Sequence, residues 1–224
     1  MLIASTVGID TRITMDMDAT LKGQTLSEVE LATIVEDILC VPLDDGVTFT
    51  LRGIEEIREE ADCPGYRASI GAILDKTRQT LKVDITTGDF VTPKEIEYSF
   101  KLMFEDRVIR IMAYNLETVL AEKLETVITR GVTNTHMRDF YDIYILTTTQ
   151  TFDADTFRAA LKKTIGNRGI VAQMADINGT VKLIADNSVM ADLWHRYQKK
   201  FTYSSDVSWK MVIDSLNNLG KQII

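Results

Sequence analysis

Residues 11–23 read TRITMDMDATLKG and are the most informative stretch of the sequence. As a β-strand, this stretch places Asp16 and Asp18 on one face together with Thr14 and Thr20, because successive strand side chains alternate between faces. Such a carboxylate pair is suited to hold Mg²⁺, a hard cation that takes oxygen ligands and keeps waters or substrate phosphates in its shell. The alternative is an edge strand whose acidic face is simply solvated and resists pairing with other chains.

The composition is that of a folded soluble protein, with 45% hydrophobic and 26% charged residues among 224. This length allows one large domain or two small ones. The sequence has no apolar run long enough to span a bilayer and no signal-peptide pattern, so we expect a cytoplasmic protein without a membrane partner. Two cysteines and two histidines, far apart in sequence, do not indicate a zinc site.

Charge is distributed unevenly along the chain. Residues 1–107 carry 11 Lys and Arg against 21 Asp and Glu, a net charge of −10, whereas residues 108–224 carry 14 against 12, a net charge of +2. Within the second half, the windows 156–175 and 193–205 contain basic residues and no acid. These windows are either solvated helix faces or surfaces that meet a phosphate backbone.

The first half reads mainly as strands. Ser27 followed by Glu30 is a capping-box signature and predicts a helix to about Leu39. Beyond it, segments rich in β-branched and aromatic residues alternate with turn signals and predict a connected sheet. These segments are residues 47–51, 66–74, 80–86, 98–104 and 108–112.

Residues 80–86 alternate strictly between apolar side chains at odd positions and polar side chains at even positions. Asp84 is one of the polar residues. If this strand lies beside the first one, Asp84 joins Asp16 and Asp18 on a shared surface. The sequence then predicts a triad of carboxylates.

After Tyr114 the hydrophobic period changes from two to 3.6. Asn115 can cap a helix that runs to about Arg130, and Lys123 falls inside the apolar stripe of that helix. A charge there is costly unless it reaches solvent or finds an anion. Lys123 is therefore a snorkelling lysine, a lysine paired with a core acid, or a lysine that binds phosphate.

A second helix is predicted for residues 136–146, HMRDFYDIYIL. Met137 and the aromatic residues share one face, while Asp139 and Asp142 lie on the other side. Arg138 and Asp142 are spaced for an i,i+4 ion pair, worth roughly 0.2–0.5 kcal/mol on an exposed helix. Further helices are predicted at about 154–165, 171–184, 188–203 and 208–219.

These patterns predict an α+β protein. A mixed sheet lobe would occupy residues 1–114 and a helical lobe residues 115–224, because the hydrophobic period changes there.

Four motifs in this order resemble the nucleotidyltransferase-like AbiEii/AbiGii toxin family, which belongs to the polymerase-β-like nucleotidyltransferases. They are TRITMDMD at 11–18, KVDITTGD at 82–89, LAEKLETVITRG at 120–131 and MRDFYDIY at 137–144. The resemblance covers roughly residues 1–150. It implies the fold of that superfamily, a mixed sheet lobe followed by a helical lobe.

The resemblance also implies catalytic roles. Asp16 and Asp18 would be the Mg²⁺-binding pair, and Asp84 would be the third metal carboxylate and the acceptor of a proton from the attacking hydroxyl. Three acids on one sheet face can hold the ions that in-line nucleotidyl transfer requires.

Further residues are implied to bind the nucleotide. Lys123 resembles the family lysine that meets the nucleotide's phosphates. Asp139 and Asp142 match the final acidic motif, which positions the nucleotide or the attacking group, and Arg12 lies where it can assist.

The implied function is an Mg²⁺- and NTP-dependent nucleotidyltransferase that is the toxin of a toxin–antitoxin or abortive-infection system. It would transfer NMP to an acceptor such as RNA, notably the 3′ end of tRNA, and its cognate antitoxin would act with or without direct contact. Two alternatives remain: a catalytically silent nucleotide-binding or interaction protein, and transfer to a small molecule or a protein hydroxyl.

One family feature is missing from this sequence. Members usually carry a Gly-Gly or Gly-Ser turn just before the D-x-D strand, where backbone N–H groups receive phosphate. Here that turn would fall before Met1. We therefore expect either a longer N-terminus in the working enzyme or a copy that has lost its phosphate cradle.

Overall fold

The computed structural model describes residues 2–8, 16–22, 27–57, 65–87, 91–102, 105–171 and 174–223. The chain divides into two compact units. Unit 1 holds residues 14–89, and unit 2 holds residues 2–13 and 90–224. The change from strands to helices near residue 114 lies within unit 2, and the division into lobes at that residue stays a prediction.

The strands are β1 (Asp16–Leu21), β2 (Val47–Glu56), β3 (Gly65–Leu74), β4 (Thr77–Thr87), β5 (Ile96–Lys101) and β6 (Val108–Ala113). The helices are α1 (Leu2–Val7), α2 (Glu28–Leu39), α3 (Leu116–Arg130), α4 (Met137–Thr149), α5 (Ala154–Asn167), α6 (Ile177–Asp186), α7 (Ser188–Lys200) and α8 (Trp209–Lys221). The α+β class predicted from the sequence is confirmed. No helix in the described part of the chain is long and apolar enough to cross a membrane.

Unit 1 is built on a four-stranded mixed sheet with the order β1-β4-β3-β2. β1 runs parallel to β4, whereas β4, β3 and β2 are antiparallel neighbours. Helix α2 packs Leu31 and Val35 against apolar side chains of the sheet, including Ala68, Ile70 and Ile85. Because strand side chains alternate, the polar residues of β1 and β4 occupy the opposite face, which we call the polar face.

The predicted start of α2 is confirmed by a capping box. The Ser27 hydroxyl accepts a hydrogen bond from the Glu30 backbone N–H, and the Glu30 carboxylate accepts one from the Ser27 N–H at 2.8 Å. Two of the backbone donors at the start of the helix are thereby satisfied.

The prediction of one connected sheet is wrong. β5 and β6 pair antiparallel with each other and form a second, two-stranded sheet in unit 2. Strand propensity is local and reports a residue's preference for extended backbone, whereas the choice of partner strand depends on tertiary packing.

Unit 2 has a helical core. Helix α3 contacts α4 and α5, and α4 also packs against α8. Asn115 caps α3 by accepting a bond from the Thr118 N–H at 2.8 Å, and Gly131 ends the helix at φ +50. Leu120, Leu124, Phe140 and Trp194 are among the fully buried side chains.

Two predicted helix boundaries are corrected. The helix predicted from residue 171 begins at Ile177, because Asp176 caps it through the Gly179 N–H at 2.8 Å. The helix predicted to reach residue 203 ends at Lys200, and residues 202–204 form a separate 3₁₀ turn.

Candidate functional site

Parallel pairing of β1 with β4 brings Asp18 and Asp84 together. The register places Asp18 opposite Asp84 and, two residues on, Thr20 opposite Thr86. The Thr20 and Thr86 hydroxyls lie 3.1 Å apart in a hydrogen bond, so the paired side chains project from the same face. Asp18 is exposed and Asp84 is 23% exposed. The two carboxylates therefore lie side by side on the polar face.

The rest of the predicted metal site is only partly described. Asp16 stands opposite Lys82 in the register, but its side chain, like the whole of Arg12, lies outside the described residues. Among the side chains that are described, no three His, Cys, Asp or Glu residues form a cluster able to hold a metal ion. The triad stays a prediction. The oxygen donors of Asp18 and Asp84 nevertheless match the ligand chemistry of Mg²⁺.

Arg67 on β3 binds the carboxylate of Asp84 with two parallel hydrogen bonds. The Arg67 Nε donates to Oδ1 at 2.7 Å, and Nη2 donates to Oδ2 at 2.8 Å. The pair is part-buried, with the Arg67 side chain 33% exposed. This bidentate geometry fixes the plane of the carboxylate as well as its position.

Arg67 is not among the site residues predicted from the sequence, although the sequence holds a signal for it. Asp75 and Lys76 form a two-residue hairpin turn between β3 and β4, with Leu74 paired to Thr77 and Asp75 at φ +51. A positive φ of this kind is typical of the tight turns in two-residue hairpins. Counting back from that turn, residue by residue, pairs position 67 with position 84.

A second charged cluster lies in unit 2. The Lys123 Nζ on α3 lies 2.5 Å from Asp139 Oδ1 and 3.3 Å from Asp142 Oδ2 on α4. The Lys123 side chain is 26% exposed, Asp139 is 12% exposed, and Asp142 is fully buried. Of the alternatives left open for Lys123, the structure shows a lysine paired with core acids. Its contact with phosphate stays a prediction.

The two carboxylates hold Lys123 in its charged form. Burial favours the neutral amine, but the charges of Asp142 and Asp139 and their hydrogen bonds outweigh it and raise the pKa of Lys123 above its ordinary value. Lys123 is therefore a fixed cation of this cluster.

Asp142 is buried, so the magnitude given for an ion pair on an exposed helix does not apply to it. Helix α4 is buried around most of its circumference, since Asp139, Asp142 and Ile143 are buried along with Met137 and Phe140. Its acids face α3, where Lys123 meets them. The hydrophobic pattern of α4 in the sequence shows only its apolar side. It cannot show that the polar side of the helix is buried as well.

The two basic windows of the second half are used differently. In the window 156–175, Arg158 bonds Asp155 and the Gln222 carbonyl, and Arg168 bonds the buried Glu125. In the window 193–205, three exposed cations follow one another along the last turns of α7: Arg196, Lys199 and Lys200. Lys162 and Lys163 of the first window are exposed as well, so both windows present positive charge at the surface.

Comparison with known proteins places the chain in a family. A family model described as "Nucleotidyl transferase AbiEii toxin, Type IV TA system" matches residues 1–214. No curated protein matches the chain. Among solved structures it is similar to JHP933 from Helicobacter pylori, with 19% identity over 95% of this chain and 75% of that one and a TM-score of 0.43. It is also similar to a Helicobacter pylori protein described as a proposed nucleotidyltransferase, with 18% identity over 100% and 82% of the two chains and a TM-score of 0.44.

The mixed sheet with its paired carboxylates, together with the family match, defines a nucleotidyltransferase. More particularly, the chain belongs to the AbiEii family of nucleotidyltransferase toxins from type IV toxin–antitoxin systems. Membership of such a system implies an antitoxin as partner.

Proposed function

We propose that this chain transfers NMP from an NTP to an acceptor hydroxyl, with Mg²⁺ held by Asp16, Asp18 and Asp84. The hydroxyl oxygen bonds to the α-phosphorus of the NTP as pyrophosphate leaves. The observation that carries the proposal is the register that sets Asp18 beside Asp84 on the polar face. Bound Mg²⁺ would supply charge stabilisation at the attacking and leaving oxygens of the in-line displacement.

Asp84 is the residue proposed to accept the proton of the acceptor hydroxyl. Its carboxylate is oriented by two hydrogen bonds and is still 23% exposed, so a substrate can approach it. A general base must hold a defined direction before it can abstract a proton efficiently.

Lys123 is proposed to neutralise the phosphates of the nucleotide. Asp139 and Asp142 support this role because they keep the amine protonated, and Asp142 does so from a fully buried position. A permanently charged lysine can meet a polyanion without first having to take up a proton.

The proposed acceptor is RNA, such as the 3′ end of tRNA. The exposed cations Arg196, Lys199 and Lys200 support this choice, since a run of positive charge without intervening acids attracts a phosphate backbone. Transfer to RNA would make the chain the toxic half of its system, with a cognate antitoxin opposing it.

The test is label transfer. Purified full-length protein is incubated with each α-labelled NTP, Mg²⁺ and total tRNA, and the RNA is resolved on a denaturing gel. We expect label on RNA with the wild type, and a loss of about 100-fold or more with Asp18→Asn or Asp84→Asn. Asp75→Asn is the matched control, because it makes the same change in the exposed turn of the β3–β4 hairpin and asparagine tolerates a positive φ.

Other outcomes would contradict the proposal in distinct ways. Label on a small molecule or on protein would replace the acceptor while keeping the reaction. Metal-dependent NTP binding without transfer to any acceptor would indicate a silent nucleotide-binding protein. Equal activity of wild type and Asp84→Asn would remove Asp84 from the chemistry.

A further inference from the structure

A row of charges crosses the sheet of unit 1 at the level of Asp84. The pairings place Asp18 on β1, Asp84 on β4, Arg67 on β3 and Glu55 on β2 in one continuous register row. Directly paired residues project from the same face of a sheet. The polar face thus carries two adjacent carboxylates, then a cation, then a third carboxylate.

Neighbouring carboxylates on adjacent strands repel each other unless a cation compensates them. In this row Arg67 is the cation next to Asp84, and it donates to both carboxylate oxygens. A guanidinium is always charged and presents its donors in a rigid fork that matches a carboxylate. Arg67 therefore supplies part of the positive charge that a metal ion would supply at the same place.

We propose that Arg67 is a positioning residue that competes with the divalent ion for Asp84: it orients the carboxylate for catalysis and at the same time weakens metal binding. The inference rests on the proposed function, because it assumes that Asp18 and Asp84 hold Mg²⁺. It adds a residue that limits how tightly the ion is held.

The size of the competition follows from Coulomb's law. Arg67 carries a charge of +1 and the divalent ion a charge of +2. At a separation of about 6 Å in water, their repulsion weakens metal binding about tenfold. Removing the charge of Arg67 should therefore tighten metal binding about tenfold. Removing its hydrogen bonds should lower the rate of transfer by about tenfold or more, because Asp84 loses its fixed direction.

Charge and geometry can be separated with two variants. Arg67→Gln removes the charge and the fork together. Arg67→Lys keeps the charge but cannot form both parallel bonds. We expect the metal affinity of Arg67→Lys to lie within about twofold of that of the wild type, because the repulsion remains. We expect its turnover to fall as it does in Arg67→Gln.

The experiment measures Mn²⁺ binding to the full chain by electron paramagnetic resonance, with turnover measured in parallel. Arg78→Gln is the matched control, since Arg78 lies on β4, the strand that carries Asp84, and is exposed opposite Ile73. The result expected is tighter Mn²⁺ binding in Arg67→Gln alone, with kcat lowered in both Arg67 variants. Arg67→Met, neutral and of similar length, repeats the comparison should Arg67→Gln fail to fold by circular dichroism.

Three results would overturn the inference. Mn²⁺ affinity in Arg67→Gln that is unchanged or weaker would show that Arg67 does not compete. An equal gain in Mn²⁺ affinity in Arg78→Gln would show that the effect comes from the net charge of the protein. Wild-type turnover in both Arg67 variants would remove the positioning role. Absence of Mn²⁺ binding by the wild type and by every variant would instead remove the metal site, and with it the proposed function.

Discussion

The two units hold similar charges in different surroundings. In unit 1, Arg67 bonds Asp84 on a sheet face where both side chains remain partly exposed. In unit 2, Lys123 bonds Asp139 and the fully buried Asp142 between two helices. Burial, rather than the kind of charge, therefore sets how much stability each cluster contributes.

The physical reason is the cost of leaving a charge unpaired. An exposed ion pair contributes about 0–1 kcal/mol, because water solvates either partner once the pair is broken. Breaking a buried pair costs about 3–5 kcal/mol, because the remaining charge cannot recover its hydration. We therefore expect loss of Lys123 to cost more stability than loss of Arg67.

The largest effect is expected from Lys123→Met. It should lower the free energy of unfolding of unit 2 by about 3 kcal/mol, since the buried Asp142 loses its ion pair with Lys123. Urea unfolding followed by tryptophan fluorescence measures this, because Trp194 and Trp209 both lie in unit 2.

Lys210→Met is the matched control for this substitution. Lys210 pairs with Asp214 on the surface of α8, with the two side chains 82% and 52% exposed. It should change stability by no more than about 0.5 kcal/mol. Equal losses in the two variants would contradict the expected difference between buried and exposed ion pairs.

A smaller effect is expected from pH. The pKa of Lys123 is raised in the folded protein, so its contribution is fully present below the ordinary lysine value of 10.5 and is lost as pH rises through the raised value. The stability difference between wild type and Lys123→Met should stay constant around neutral pH and narrow above 10.5. The same urea titrations, repeated at increasing pH, measure this stability difference. A difference that does not change above the ordinary lysine value would argue against the ion pairs of Lys123.

The smallest effect is expected from Arg67→Gln in metal-free solution. It should lower the stability of unit 1 by about 1 kcal/mol, less than the loss in Lys123→Met, because both partners of this part-buried pair keep some contact with water. Circular dichroism during urea unfolding in the presence of a chelator measures this change. A loss as large as that of Lys123→Met would mean that Arg67 supports the fold rather than competing with a metal.

Local patterns in the sequence predicted the elements that local physics controls. Strict alternation in residues 80–86 placed Asp84 on the polar side of its strand, and Asn115 and Ser27 marked two helix starts that the structure confirms. These signals succeed because alternation and capping depend on residues only a few positions apart.

Long-range pairings were not predictable in the same way. The separate β5–β6 sheet depends on which strands meet, and the burial of Asp142 depends on α3 packing over the acidic side of α4. Arg67 is an intermediate case. Its position opposite Asp84 follows from a short turn, but only once the hairpin is assumed.

The pairing of β1 with β4 has a consequence for how the carboxylate pair arises. β1 occupies one edge of the sheet, and its partner lies far along the chain, with Thr20 and Thr86 separated by 66 positions. Asp18 and Asp84 therefore become neighbours only through closure of a long loop, which is entropically costly and slow compared with formation of the β3–β4 hairpin. A nascent chain that ends before β4 contains the D-x-D motif but lacks Asp84. The proposed reaction therefore requires the complete sheet, with β1 paired to β4.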